Sequence, residues 1–244
     1  MTKMNRNILI LGASSAIGRA TAMAFVEKGD MVYLAGREIS ELERLSTDMN
    51  IRYHLKDNAK TLYGELDIEK LESHHDFFNK VLTLLSQIDG IVYAMGYMGE
   101  SIPKTLNINL NSAVNILEIC ANYLEQQKSG FIIGISSCAG DRGRKSNYIY
   151  GAAKGGLSIY LQGLRNKLFK NNIRVITIKP GFVDTQMTFG LPRLFLVAQP
   201  QDIGKAIANT VNKKSDVVYL PWFWRYIMLI IKNIPEAIFK RMSL

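Results

Sequence analysis

Seven short runs rich in apolar and β-branched residues punctuate the sequence, at residues 7–11, 31–35, 61–66, 89–94, 131–135, 173–178 and 217–220, and stretches with helical spacing of apolar residues separate them. A strand pattern that keeps giving way to a helical one leaves few folds open. Strands joined through helices lie parallel, and a parallel sheet buries both faces beneath those helices. The expectation is therefore an α/β fold, a doubly wound parallel seven-stranded sheet. A chain of 244 residues, 48% of them hydrophobic, can bury such a core. No linker, internal repeat or low-complexity stretch divides it. Residues 1–244 read as one domain, residues 1–220 being its core and residues 221–244 an apolar helical tail.

The first strand runs into Gly12-Ala13-Ser14-Ser15-Ala16-Ile17-Gly18, and a helical stretch at residues 19–28 follows. Glycines let the backbone approach a ligand closely, and a helix N-terminus offers free N–H groups and a positive dipole, which together cradle a pyrophosphate. Gly12, Ser14, Ser15, Ile17 and Gly18 are the candidate cradle. At the end of the second strand, Gly36 stands where an acid would hold a ribose 2′-hydroxyl, and Arg37 follows it. An arginine fork suits a 2′-phosphate. The pattern favours NADP(H) over NAD(H), with Arg37 as the clamp and Ser14 as its helper; a plain surface arginine is the bland alternative.

The fifth strand leads into residues 137–154, and a helical pattern starts at Tyr150. Tyr150 and Lys154 stand four apart, on one helix face. A free phenol has a pKa near ~10, and a nearby ammonium lowers it. Such a pair can exchange a proton with a substrate oxygen, to which Ser137 could donate a hydrogen bond. Taken alone, Tyr-x-x-x-Lys is common on ordinary helices. Set with the glycine turn, the spacing Ser137, Tyr150, Lys154 resembles that of the short-chain dehydrogenase/reductases across residues 7–220.

The resemblance implies a Rossmann-type fold, ketone reduction by hydride transfer, and a catalytic set of Ser137, Tyr150, Lys154 and Asn109, the last holding a relay water. Asn111 is close enough to Asn109 to keep the register open. The resemblance also implies Asp67 beside the adenine, Gly96 and Lys154 near the cofactor, and Pro180, Gly181, Val183 and Thr185 at the nicotinamide. Ala16 replaces a family glycine, and Tyr93 and Met95 depart from the family's Asn-Asn-Ala-Gly. A homodimer or homotetramer is the implied assembly. Finer similarity lies in Arg142 to Lys145 before Asn147-Tyr148-Ile149-Tyr150, and in Arg225-Tyr226-Ile227-Met228 and Ile234-Pro235. These are similar to the reductases of decaprenylphosphoryl-2-keto-arabinose. That implies a keto-sugar on a polyprenyl or other glycosyl phosphate, a cell-envelope polysaccharide precursor, with Arg142, Arg144 and Lys145 meeting the phosphate. A 3-oxoacyl or generic carbonyl reductase, or an NADP-binding regulator without turnover, stays open beside it.

A formal net charge of +9 points to an anionic partner. No run of five lysines or arginines suggests a nucleic-acid arm. Two cysteines, Cys120 and Cys138, make no disulfide framework, and no signal-peptide layout precedes the first strand, so the expected home is the cytoplasm. His74 and His75, in a charged helical stretch, lack partners at metal-ligand spacing and read as solvent-facing; no metal is expected. Residues 186–198 are placed as a flexible lid, with Met187, Phe189, Leu191, Leu194, Phe195, Leu196 and Val197 making its mouth greasy. Three readings compete for the tail: packing on the body or a sister subunit, peripheral contact with the inner face of a membrane through residues 222–242, or a wall of the substrate pocket.

Overall fold

The computed structural model describes residues 6–56, 60–190 and 194–242. β1 (Asn7–Leu11), β2 (Met31–Gly36), β3 (Leu62–Glu65), β4 (Gly90–Tyr93), β5 (Gly130–Ile135), β6 (Ile173–Pro180) and β7 (Val217–Leu220) form one sheet in the order β3-β2-β1-β4-β5-β6-β7. All neighbouring pairs are parallel. Side chains alternate between two apolar layers. Ile8 and Ile10 of β1 join a layer with Phe25 of α1 (Ala16–Glu27), Leu42 of α2 (Ile39–Arg52) and Ile207 of α7 (Pro200–Thr210). Leu9 and Leu11 join the other, with Val81 of α3 (His74–Leu85), Ile116 of α5 (Ser112–Gln127) and Leu161 of α6 (Tyr148–Leu168). Because both faces are covered, β1 reads as an unbroken apolar run.

Strand order reverses between β1 and β4, and in open α/β sheets a crevice opens outside the strand ends at such a point. Gly12 sits there with φ of +89°, and a Cβ on it would lie 2.9 Å from the Ala94 carbonyl carbon. Only glycine meets both demands cheaply. The helix after β4 begins earlier than the sequence suggests. Ser101 caps α4 (Ile102–Leu106), and a π-helical turn at Asn107–Asn111 carries the chain into α5. π-turns loosen a helix locally and recur at functional sites.

The expectation for His74 is corrected. It is fully buried, its Nδ1 2.7 Å from Asn115 Oδ1 and its Nε2 3.1 Å from the Ile68 carbonyl. Its position at the start of α3 faces α5, so two polar partners compensate its burial. Only His75 of the two is exposed.

The tail forms α8 (Trp224–Asn233) and α9 (Glu236–Phe239). Trp224 and Met228 are buried against Cys138, Phe182 and Tyr219. Trp222, Tyr226, Leu229 and Ile230 stay exposed. One face of α8 therefore packs on the body and the other is left open.

Candidate active site

The glycine turn after β1 builds a cradle. Ser15 caps α1: its Oγ accepts from Gly18 N at 3.0 Å and lies 2.8 Å from the Gly12 carbonyl oxygen. A Cβ at Gly18 would fall 2.2 Å from that same oxygen, so the turn closes only around glycine. No acid occupies the first turn of α1, which leaves its positive end unopposed. The Ser15 side chain thus shapes the loop. Ala16 is the first residue of the helix, where a methyl group is accommodated.

The turn opens into a cavity of about 330 Å³. Ser14, Ser15, Ile17, Gly96, Pro180, Gly181, Val183 and Thr185 line it together with Ser137, Tyr150 and Lys154. Residues from five separate stretches of chain meet here because β1, β4, β5 and β6 end side by side. These residues suit a nicotinamide dinucleotide: tight glycines, an open helix N-terminus and a cavity at the strand ends. Arg37 and Asp67 are not on the cavity wall. Arg37 is exposed, with Glu38 Oε1 3.6 Å from its Nε. The Ser14 hydroxyl would lie 3.4 Å from a Cβ at Gly36, so the serine and the end of β2 adjoin. The Asp67 carboxylate accepts from Glu69 N and lies 3.9 Å from Lys70 Nζ.

Lys154 is 2% exposed, and its Nζ donates to the Ile135 carbonyl at 3.1 Å. It lies 5.8 Å from the centre of the Tyr150 ring. Burial lowers its pKa to about 7. Burial also raises Tyr150 to about 12, although the Ser137 hydroxyl pulls the other way. The expected lowering of Tyr150 by Lys154 is not produced by the protein's own groups, because desolvation outweighs what a lysine titrating near 7 can supply. Tyr150 is thereby held as an acid. A Cβ at Gly96 would lie 3.4 Å from Asn109 Oδ1 and 3.5 Å from Lys154 Nζ, so the three converge. Asn109 is fully buried; its Nδ2 donates to the Thr105 and Tyr97 carbonyls, and its Oδ1 accepts from Tyr97 N at 3.2 Å. Its side chain pins the loop after β4. Asn111 instead donates to Asn107 on the exposed face.

The three cations of the basic loop part company. Arg142 turns away from the cavity, a correction to its expected contact with phosphate. Its Nη1 donates to the carbonyls of Ile231, Lys232 and Ile234, at 3.1, 2.9 and 2.7 Å, and its Nη2 pairs with Glu236 at 2.9 Å. The guanidinium also lies 3.9 Å from the centre of the Phe239 ring. The carbonyl end of α8 attracts a cation, so Arg142 latches the tail. Lys145 is exposed and off the cavity wall. Arg144 is on it.

Asn147 and Trp224 also stand on the wall, neither named as a site residue from the sequence, and Trp224 makes the tail part of the pocket wall, one of the three readings open to it. Asn147, just before α6, looks like an ordinary helix cap, and nothing local marks Trp224 among the tail's aromatics. Of the greasy mouth, Met187 lines the cavity, Phe189 is 89% exposed, and Phe195 lies tilted against Trp224 with ring centres 5.5 Å apart. Leu191 lies outside the described residues. Among the described residues no group of His, Cys, Asp or Glu could hold a metal ion. None of their helices is long and apolar enough to cross a membrane.

A glycine-turned nucleotide cradle opening on a Ser, Tyr and Lys cluster defines an oxidoreductase of the Rossmann class. The family described as short chain dehydrogenase matches residues 6–192, and the chain belongs to it. A Streptomyces coelicolor protein described as an uncharacterized oxidoreductase is 30% identical over 249 residues, covering 97% of this chain and 96% of its own. The fold is also that of the actinorhodin polyketide ketoreductase with NADPH, at 16% identity and a TM-score of 0.80, over 94% of this chain and 98% of that one. An NAD⁺-bound xylitol dehydrogenase matches at 20% identity and a TM-score of 0.76, over 88% and 97%.

Proposed function

We propose that this chain is an NADPH-dependent ketone reductase in which Tyr150 is the proton donor. The observation that carries the reading is the meeting of Ser137, Tyr150 and Lys154 with Ser14, Ser15 and Ile17 of the glycine turn and with Pro180, Gly181, Val183 and Thr185 on one cavity. NADPH, when bound, supplies the hydride. Gly12, Ser14, Ser15, Ile17 and Gly18 would hold its pyrophosphate end, with Arg37 at the 2′-phosphate and Asp67 near the adenine. Gly96, Pro180, Gly181, Val183 and Thr185 would hold its nicotinamide end.

Ser137 donates to the substrate carbonyl oxygen and polarises it, and Tyr150 gives its proton to that oxygen as negative charge develops. Lys154, when charged, eases the loss of the phenolic proton and holds the nicotinamide ribose. Asn109 fixes the loop carrying Gly96 and positions the relay water.

The substrate we propose is a keto-sugar carried on a polyprenyl or other glycosyl phosphate. The outward face of α8 supports a lipid-linked form. Exposed Trp222, Tyr226, Leu229 and Ile230 sit beside Arg225 and Lys232, the pairing of apolar surface and cations that suits an anionic bilayer. Homo-oligomerisation would find a seam on α6, where Ile159 is 72% exposed.

The test is NADPH oxidation followed by absorbance, with neutral ketones and phosphorylated ketoses, in wild type and Tyr150→Phe. Ketone-dependent oxidation that disappears in the variant supports the reading. No oxidation with any ketone, alongside tight NADPH binding, would leave a cofactor-binding regulator in its place.

A further inference from the structure

The cavity carries two cations, Arg144 and Lys154, and no acid among the described residues that line it. Lys154 has carbonyl partners. Arg144 has neither an ion pair nor a side-chain hydrogen bond among the described residues, and its Nε is buried without a partner. Burial pulls the guanidinium below its ordinary pKa, and no carboxylate offsets that. The nearest acid in sequence, Asp141, is already committed to Lys179 and to the Tyr219 hydroxyl. A half-buried guanidinium facing a cavity with no counter-anion is costly unless a ligand brings one.

Two further polar atoms on the same wall are buried and unpartnered, Asn147 Oδ1 and Trp224 Nε1. Asn147 stands at the N-cap of α6 but makes no side-chain cap hydrogen bond, so its amide is left for another partner. Trp224 is 3% exposed, and its indole N–H lies against Gly181, where a Cβ would come within 1.9 Å of Nε1. An orphaned buried polar group is costly, and native proteins carry few of them. Three in one cavity wall form a pattern.

We infer that Arg144, Trp224 and Asn147 form an oxyacid subsite of the substrate pocket, built jointly by the basic loop and the C-terminal helix. The two N–H groups donate to phosphate or carboxylate oxygens, and Asn147 accepts from a hydroxyl beside them. The class of ligand is a ketone bearing an acidic group with an adjacent hydroxyl, as in a sugar phosphate. This rests on the reductase reading for the word substrate, and on the cavity alone for the binding. The Arg142 latch gains a purpose, since it fixes the helix that brings Trp224 to the site.

The experiment uses NADP⁺-saturated protein carrying Trp222→Phe, so that Trp224 is the remaining tryptophan and reports on its own surroundings. Glycerol 3-phosphate, inorganic phosphate, acetate and glycerol are titrated at constant ionic strength while indole fluorescence is followed. Expected is a saturable change with glycerol 3-phosphate and none with glycerol. Arg144→Gln should weaken glycerol 3-phosphate at least about tenfold, the loss of one charge-assisted contact. Arg144→Lys should fall between, and Asn147→Ala should weaken glycerol 3-phosphate more than inorganic phosphate. Lys170→Gln, a charge loss on an exposed lysine, should change nothing. Acetate binding as tightly as phosphate would assign a carboxylate substrate; weaker acetate would assign a phosphate ester. Equal affinity in wild type and Arg144→Gln, an equal loss in Lys170→Gln, or no response to any oxyacid overturns the subsite. The two readings separate cleanly. Turnover of neutral ketones without oxyacid binding removes the subsite and keeps the reductase, and oxyacid binding without turnover does the reverse.

Discussion

Lys154→Met should make the cofactor-free protein more stable while abolishing its turnover. Burial lowers Lys154 from 10.5 to about 7. Each pH unit of that displacement is worth ~1.4 kcal/mol, so the buried ammonium costs the fold up to ~5 kcal/mol below pH 7. Methionine keeps most of the stem's packing and carries no charge. It forfeits the hydrogen bonds to the Ile135 and Met95 carbonyls, at 3.1 and 3.5 Å, each worth ~1 kcal/mol. A net gain of ~2–3 kcal/mol remains at pH 6, or roughly 5–10 °C in Tm for a chain of this size. The pH dependence is the sharper signature. Between pH 7 and about 10.5 the unfolded chain holds the lysine proton and the folded chain does not, so wild-type stability climbs with pH through that window. The variant lacks that climb, and its advantage should vanish by about pH 10. Urea denaturation of both proteins at pH 6, 8 and 10 measures it. A variant less stable than wild type at pH 6, or a difference that ignores pH, refutes the reasoning.

Tyr150→Phe should leave NADPH binding nearly intact and cut ketone reduction by ~10²-fold or more, read by steady-state kinetics. Arg37→Ala should weaken NADPH about 10- to 100-fold and spare NADH, measured by fluorescence titration; equal loss for both would remove Arg37 from the 2′-phosphate. In wild type, reduction should fall as pH rises through about 7, because Lys154 loses its charge there while Tyr150, at about 12, stays protonated. Arg142→Ala should loosen the tail by ~2–3 kcal/mol, since one cation serves three carbonyls and Glu236, and trypsin should then cut faster at Lys232.

The sequence by itself determined the sheet, the glycine turn and the face of α6 that carries Tyr150 and Lys154, and each for a local reason. β1 and β5 are buried on both sides and so read as continuous apolar runs. Gly12 and Gly18 are dictated by backbone that no other residue can follow cheaply. Tyr150 and Lys154 share a face because helical spacing puts residues four apart on one side. Tertiary structure alone decided the rest. Whether the charge of Arg142 meets the cavity depends on where α8 ends, some 90 residues along the chain. The fate of His74 depends on Asn115 across a helix pair. Tyr150 and Lys154 are displaced in opposite directions because desolvation is a property of everything packed around them, and spacing along a helix carries no information about it. Trp224 reaches the pocket only because Gly181 offers no side chain at the point of contact. Contacts made between distant segments have no periodicity to betray them.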